Sequence, residues 1–158
     1  MGSTSSQKSF LIKKVLILVS SLIATGVVMR FFSPPYKLDA RLFYSFSEAA
    51  TYLTALTDLQ KREYLFVELF DFWFMINYSW INFIMAKKVK VSCQRLWIAF
   101  VPGILDVFET TLIVYFLHYR ELSAVHELLP ILSSLKWISA IALIIYLLQK
   151  GLKLRANH

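Results

Sequence analysis

Four stretches of this chain approach or exceed the length that a bilayer-crossing helix needs: residues 12–32, 64–86, 96–118 and 128–149. A bilayer core takes about 20 apolar residues as helix. The chain is 58% hydrophobic and 17% charged over 158 residues, an apolar surplus too large for one soluble core of this size. That balance excludes a disordered tail and fits an ordinary soluble domain poorly. The predicted fold class is all-α: an integral membrane four-helix bundle, with residues 1–158 as one membrane domain. The first span is the shortest, because its uninterrupted apolar part runs from Val15 to Met29 between Lys14 and Arg30. A secretory signal peptide has an apolar region of similar length. No clear small-x-small cleavage site follows, so the segment reads as a retained anchor whose flanking basic side chains snorkel to the interfaces. The leader from Met1 to Ser6 fits a myristoylation pattern but reads better as a flexible leader.

Basic residues fix the expected topology, since loops rich in Lys and Arg stay cytoplasmic and acids weigh little in that choice. Lys8, Lys13 and Lys14, then Lys87, Lys88, Lys90 and Arg95, then Lys150, Lys153 and Arg155 gather on one face with no acid among them. On the other face Arg30, Lys37, Arg41, Lys61, Arg62 and Arg120 are balanced by Asp39, Glu48, Asp58, Glu63, Glu121 and Glu127. Both termini are therefore expected in the cytoplasm. The net charge of +7 reads as topology plus attraction to anionic lipid heads. These residues follow span ends rather than one patch, which argues against nucleic acid as a partner. The single cysteine, Cys93, cannot form an internal disulfide or a thiolate pair.

The first outer connection, residues 33–63, opens with Ser33-Pro34-Pro35, which stops a helix. Ser45 followed by Glu48 is a capping-box pattern, and Phe46, Ala49, Ala50, Leu53 and Leu56 form one helical stripe. A short amphipathic helix is expected over residues 46–59. Its apolar face can rest on the outer bilayer surface or fold over the mouth of the bundle.

Five ionisable residues fall inside the spans: Glu68, Asp71, Asp106, Glu109 and Lys136. A charge at the helix centre costs about 2.5 to 3.5 kcal/mol, which a passive span has no reason to carry. Counted inward from the outer ends at 1.5 Å per residue, all five lie within about 20 Å of the outer surface. Glu68 with Asp71, and Asp106 with Glu109, are spaced to share a helix face. The spacing thus predicts one inward-facing charge layer. Lys136 is expected to pair with Asp71 or Glu109, and Arg62 to reach toward Glu68. Asn77, Tyr78, Thr110, Thr111, Ser133 and Ser134 are available as hydrogen-bond partners. Four carboxylates against one ammonium cannot all ionise in a low-dielectric interior, so at least one is expected to be protonated.

No histidine lies inside a span apart from His118 at an edge, which excludes a di-iron site and argues against a serine-histidine triad, while the paired carboxylates leave a magnesium site open. His118 and His126 read as loop residues, and no metal or cofactor is assigned. Pro102-Gly103 sits six and seven residues into the third span, where a kink would open space beneath Asp106, or where the small residue packs between helices equally well. The rings of Tyr64, Phe66, Phe70, Phe72, Trp73, Phe74, Tyr78, Trp80 and Phe83 surround the second span. Some of them must meet lipid while others line a pocket.

The second and third spans, Glu68-Leu-Phe-Asp71 with Tyr78 and Pro102-Gly-Ile-Leu-Asp106-Val-Phe-Glu109, resemble a pattern met in small bacterial four-span membrane proteins. There Asp-x-x-Glu is commonly followed by Asn, where this chain has Thr110. A looser resemblance, through Glu68, Asp106 and Glu109, is to the EXPERA superfamily of emopamil-binding and sigma-2-receptor proteins. That likeness implies a cavity for sterols or cationic amphiphiles. The histidine used by its sterol-isomerase members is missing here, which argues against isomerase activity. The bacterial likeness implies an inner-membrane location.

The expected function is an intramembrane acidic and aromatic pocket, open to the outer side, for a lipid or cationic amphiphile. Its expected ligand-binding residues are Glu68, Asp71, Tyr78, Asp106, Glu109, Thr110 and Lys136, with membrane lipid as the partner. Three alternatives stay open. They are a lipid-modifying enzyme with Asp71, Asp106 or Glu109 handling protons, a small proton-coupled transporter working as a homodimer, and an assembly subunit whose polar layer is interhelical glue.

Overall fold

The computed structural model describes residues 3–32, 37–38, 41–119 and 127–156. Among them no strand occurs, and five α-helices carry the fold: α1 Ser3–Phe32, α2 Phe46–Ala55, α3 Asp58–Lys88, α4 Val101–Tyr119 and α5 Leu129–Ala156. The all-α expectation holds. Helices α1, α3 and α5 contain 30, 31 and 28 residues, which at 1.5 Å per residue is about 42 to 46 Å of helix. Two helical stretches are long and apolar enough to cross a membrane, Cys93–Tyr119 and Leu129–Ala156. In α1 the apolar run is the shorter Leu16–Phe31, and α3 dilutes its rings with Glu68, Asp71, Asn77, Ser79 and Asn82.

The start of α2 follows from its capping box. Ser45 Oγ accepts the Glu48 N–H at 3.2 Å, and Glu48 Oε2 accepts the Ser45 N–H at 2.6 Å. The helix ends at Ala55, earlier than expected, because a second capping box starts α3. There Thr57 Oγ1 accepts the Gln60 N–H at 3.3 Å and Gln60 Oε1 accepts the Thr57 N–H at 2.9 Å. Thr57 must be extended to cap, so one amphipathic helix over residues 46–59 is replaced by a break at Leu56 and Thr57. Ser33, Pro34 and Pro35, and likewise Arg120, Glu121 and His126, lie outside the described residues.

Helix α2 folds over one end of the bundle. Its Ala49 and Leu53 are buried with Leu38, Tyr44, Tyr64, Ile113, Phe116 and Leu129, joining α2 to α3, α4 and α5. A second apolar cluster, Ala86, Val91, Ala99, Leu143 and Leu147, closes the opposite end. There α3 finishes in a Schellman motif, with Lys90 N–H bonded to the Lys87 carbonyl at 3.1 Å and Val91 N–H to the Ala86 carbonyl at 3.0 Å. Lys90 takes the left-handed position, with φ 55°. Glu68 and Asp71 on α3, Asp106 and Glu109 on α4, and Lys136 on α5 sit in sequence between residues of these two apolar clusters.

The third expected span is not one α-helix. Cys93–Phe100 is a 3-10 segment and the α-helix begins at Val101. Pro102 thus falls in the first turn, where its missing N–H removes no helical bond. Helix type changes from 3-10 to α immediately before Pro102. A β-carbon on Gly103 would overlap Ser79 Oγ, so the glycine permits α3 and α4 to approach closely.

Helix α1 packs along α3, α3 along α4, and α4 along α5. The outward faces are apolar: Ile17 on α1, Leu69 and Ile76 on α3, Phe108 on α4 and Ile144 on α5 are all more than half exposed.

Candidate functional site

Each carboxylate pair in the helices closes on one lysine. Lys136 Nζ lies 2.9 Å from Asp106 Oδ1 and 2.6 Å from Glu109 Oε2. Lys37 Nζ lies 3.0 Å from Glu68 Oε1 and 3.7 Å from Asp71 Oδ2. Acids three apart on a helix project from one face, so each pair forms a clamp that a single ammonium fills. The two clamps are tied to each other. Thr110 Oγ1 on α4 donates to Asp71 Oδ2 on α3 at 3.2 Å, and the Tyr78 hydroxyl on α3 donates to Asp106 Oδ2 on α4 at 2.9 Å.

The connection before α2 supplies the rest. Lys37 is held inside the bundle because Leu38 beside it is fully buried and donates its N–H to the Tyr64 hydroxyl at 3.2 Å. The Arg41 carbonyl accepts from Trp137 Nε1 at 3.0 Å and Ser133 Oγ at 3.2 Å. Tyr44 donates its hydroxyl to Glu109 Oε1 at 2.9 Å. Charge-assisted bonds of this kind are about twice as strong as neutral ones, which offsets the desolvation of groups placed this deep. Rings assist: Lys37 Nζ lies 5.9 Å from the Tyr64 centroid and Lys136 Nζ 5.7 Å from that of Trp137.

Several expectations are corrected here. Of the two partners expected for Lys136, Glu109 is in place, but Asp71 faces Lys37 and Asp106 takes its position. Arg62 is exposed, and Lys37 is the cation at Glu68. Asn77, Thr111 and Ser134 bond to carbonyls of Trp73, Val107 and Pro130 in their own helices, as short polar side chains in helices commonly do. His118 is exposed and stacks edge-on with Tyr119. Lys37 and Tyr44 are members of the charge layer that the sequence reading placed in a surface connection. The imbalance of four carboxylates against one lysine was the one indication that a second cation had to enter from elsewhere.

Beside the clamps lies a cavity of about 540 Å³. Gly26 and Met29 of α1, Phe74 of α3, Pro102 of α4, and Trp137 and Ala140 of α5 contribute to its wall. Its polar side is formed by Arg30, Lys37, Asp71, Tyr78, Asp106 and Lys136. Glu68, Glu109 and Thr110, expected to bind ligand, are fully buried and do not reach this wall; they hold the lysines and Asp71 from behind. Arg30 lines the cavity although it had read only as a span-end basic residue.

No family model, curated protein or solved structure matches this chain. Its function is therefore read from the chemistry of the cavity.

Proposed function

We propose that this protein is a four-span integral membrane protein that binds a lipid-like amphiphile in the cavity between α1, α3, α4 and α5. The supporting observation is one cavity wall that joins charged groups, Lys37, Asp71, Asp106 and Lys136, to apolar ones, Met29, Phe74, Pro102 and Ala140. Its volume of about 540 Å³ is in the range of sites that hold a drug-sized molecule or a lipid head with its first acyl carbons. Such a surface suits a molecule with a polar head and an apolar body. The apolar outer faces of α1 and α3 favour lipid around those helices too, even though neither is as apolar as Leu129–Ala156.

The ligand reaches the site sideways. Its proposed entry is between α1 and α5, which both line the cavity but make no extended packing contact among the described residues. The basic cluster of Lys87, Lys88, Lys90, Arg95, Lys150, Lys153 and Arg155 marks the cytoplasmic end, with both termini on that side and α2 on the other.

The polar layer does more than hold helices together. Interhelical glue takes one or two polar contacts of about 0.6 kcal/mol each, whereas this layer adjoins an open cavity and places Asp71, Asp106 and Tyr78 on its wall. Native mass spectrometry of gently extracted protein tests the reading. It predicts one lipid-mass adduct per chain that survives detergent exchange, and a chain that is bare after the mildest extraction would overturn it.

A further inference from the structure

We propose that the basic end of the bundle carries a second lipid site, separate from the cavity, that holds the head group of an anionic phospholipid. The site rests on the four-span membrane reading and is independent of what the cavity binds.

The second apolar cluster gathers the basic residues of three separate segments. Ala86 and Val91 at the end of α3, Ala99 in the 3-10 segment and Leu147 on α5 are buried together, and a β-carbon on Gly151 would lie 3.7 Å from Val89 Cγ1. The turn carrying Lys87, Lys88 and Lys90 is thereby held beside the part of α5 that carries Lys150 and Lys153, with Arg95 on the 3-10 segment. All of these cations are exposed except Lys150, which is half-buried. No acid occurs in residues 83–100 or 129–156, and none of these cations makes an ion pair among the described residues. Like charges gathered by a fixed apolar core repel one another, and an anion placed among them offsets that repulsion.

The surroundings favour a lipid over a water-soluble anion. Trp97, Leu148 and Leu152 are each more than half exposed on the same segments, and Lys87 Nζ lies 4.7 Å from the Phe83 ring centroid. Rings and aliphatic groups interleaved with Lys and Arg are the composition of a membrane–water interface, where the rings sit at head-group level and the cations reach the phosphates. The length of α5 agrees. Lys150 follows Leu129 by 21 positions, about 32 Å of helix, which matches a hydrocarbon core of about 30 Å. With Leu129 at one border of that core, Lys150 and Lys153 stand at the phosphates of the other. Each basic residue so placed raises affinity for an anionic surface about fivefold.

Lipid-stripped full-length protein in neutral detergent is offered phosphatidylglycerol or phosphatidylcholine with identical acyl chains, and dissociation constants are read by native mass spectrometry. Phosphatidylglycerol should bind at least about tenfold more tightly, and Arg95→Gln with Lys153→Gln should weaken it about 25-fold while leaving phosphatidylcholine unchanged. Both side chains are exposed, so the variant tests binding with the fold intact. Lys61→Gln with Arg62→Gln removes the same charge from the opposite end and should leave the affinity unchanged; an equal loss there would show a response to net charge and overturn the site. Phosphatidylcholine bound as tightly, or phosphatidylglycerol displaced by an equimolar amount of its own head group without acyl chains, would overturn the anionic-lipid assignment. Gly26→Phe, which projects a ring toward the cavity, should keep the phosphatidylglycerol; its loss in that variant would place the lipid in the cavity and overturn a second site. A chain that stays monodisperse in buffer without detergent would instead remove the membrane reading on which the site rests.

Discussion

The Lys37 ammonium lies 3.0 Å from Glu68 Oε1, joining a residue of the connection after α1 to a carboxylate that is fully buried on α3. This pair turns the connection into part of the core. Removing one member of a buried ion pair leaves an uncompensated charge and costs about 3 to 5 kcal/mol, whereas replacing both is often close to neutral. Lys37→Met should therefore lower stability in detergent by that amount. Lys37→Met with Glu68→Gln should recover most of it, the remainder reflecting Asp71, 3.7 Å from the same nitrogen. Urea unfolding of the four members of the cycle measures the coupling, and additive losses would show that the pair does not form.

The second clamp gives a parallel expectation. Tyr78→Phe deletes the hydroxyl that donates to Asp106 Oδ2 at 2.9 Å. A hydrogen bond to a charged group contributes about 1.5 to 3 kcal/mol, so the thermal midpoint should fall. Tyr44→Phe, which removes the donor to Glu109 at 2.9 Å, should cost a similar amount and also loosen the connection. Limited proteolysis between α1 and α2 should detect that loosening in Tyr44→Phe and not in Tyr78→Phe.

The carboxylate pairs themselves were legible in the sequence because three-residue spacing on a helix leaves only one geometry. The capping box at Ser45 and Glu48 was legible for the same local reason. Lys37 and Tyr44 were not, since their partners Glu68 and Glu109 are contributed by separate helices. No local pattern separates a lysine in a surface loop from one that turns inward. The extent of α2 was misread because Thr57 and Gln60 form a cap without a change in hydrophobic pattern. That Pro102 falls in the first turn of α4 was not legible, because the sequence does not show that the preceding residues, Cys93–Phe100, adopt a 3-10 conformation.

Gly103 on α4 packs against Ser79 on α3. Gly103→Ala should destabilise the bundle, since the added carbon overlaps Ser79 Oγ, whereas Ser79 Cβ stays at 3.5 Å. Adding Ser79→Ala removes the overlapping atom and should restore the thermal midpoint. A Gly103→Ala variant as stable as the parent would show that the helices do not meet there.

Lys90 occupies a left-handed position at φ 55° that an L side chain adopts at a cost of about 1 to 2 kcal/mol. Lys90→Gly should raise stability, by about 0.5 to 1 kcal/mol once the greater freedom of glycine in the unfolded chain is included. Chemical denaturation measures it. An unchanged midpoint would mean that Lys90 carries no strain.

Glu48 predicts a pH dependence at the start of α2. The Ser45 backbone N–H, and secondarily the Ser45 hydroxyl, bond its carboxylate and hold its pKa below the usual carboxyl value. A lowered folded pKa means that the cap is fully formed above the ordinary carboxyl pKa of about 4.3 and weakens as pH falls through the lower folded value. Amide exchange at Ser45, corrected for intrinsic rates, should accelerate as pH falls below the ordinary carboxyl range. Glu48→Gln should remove that dependence.

Filling the cavity tests its role as a binding site most directly. Gly26 lines it, and a β-carbon built on Gly26 meets nothing within 4 Å. Gly26→Phe would therefore project a ring toward the cavity, and it replaces the poorest helix former after proline, which favours α1. Native mass spectrometry and thermal unfolding are read on the same preparation. The predicted result is a variant at least as stable as the parent that has lost the lipid adduct; a stable variant that keeps the adduct would contradict the assignment of this cavity as the binding site.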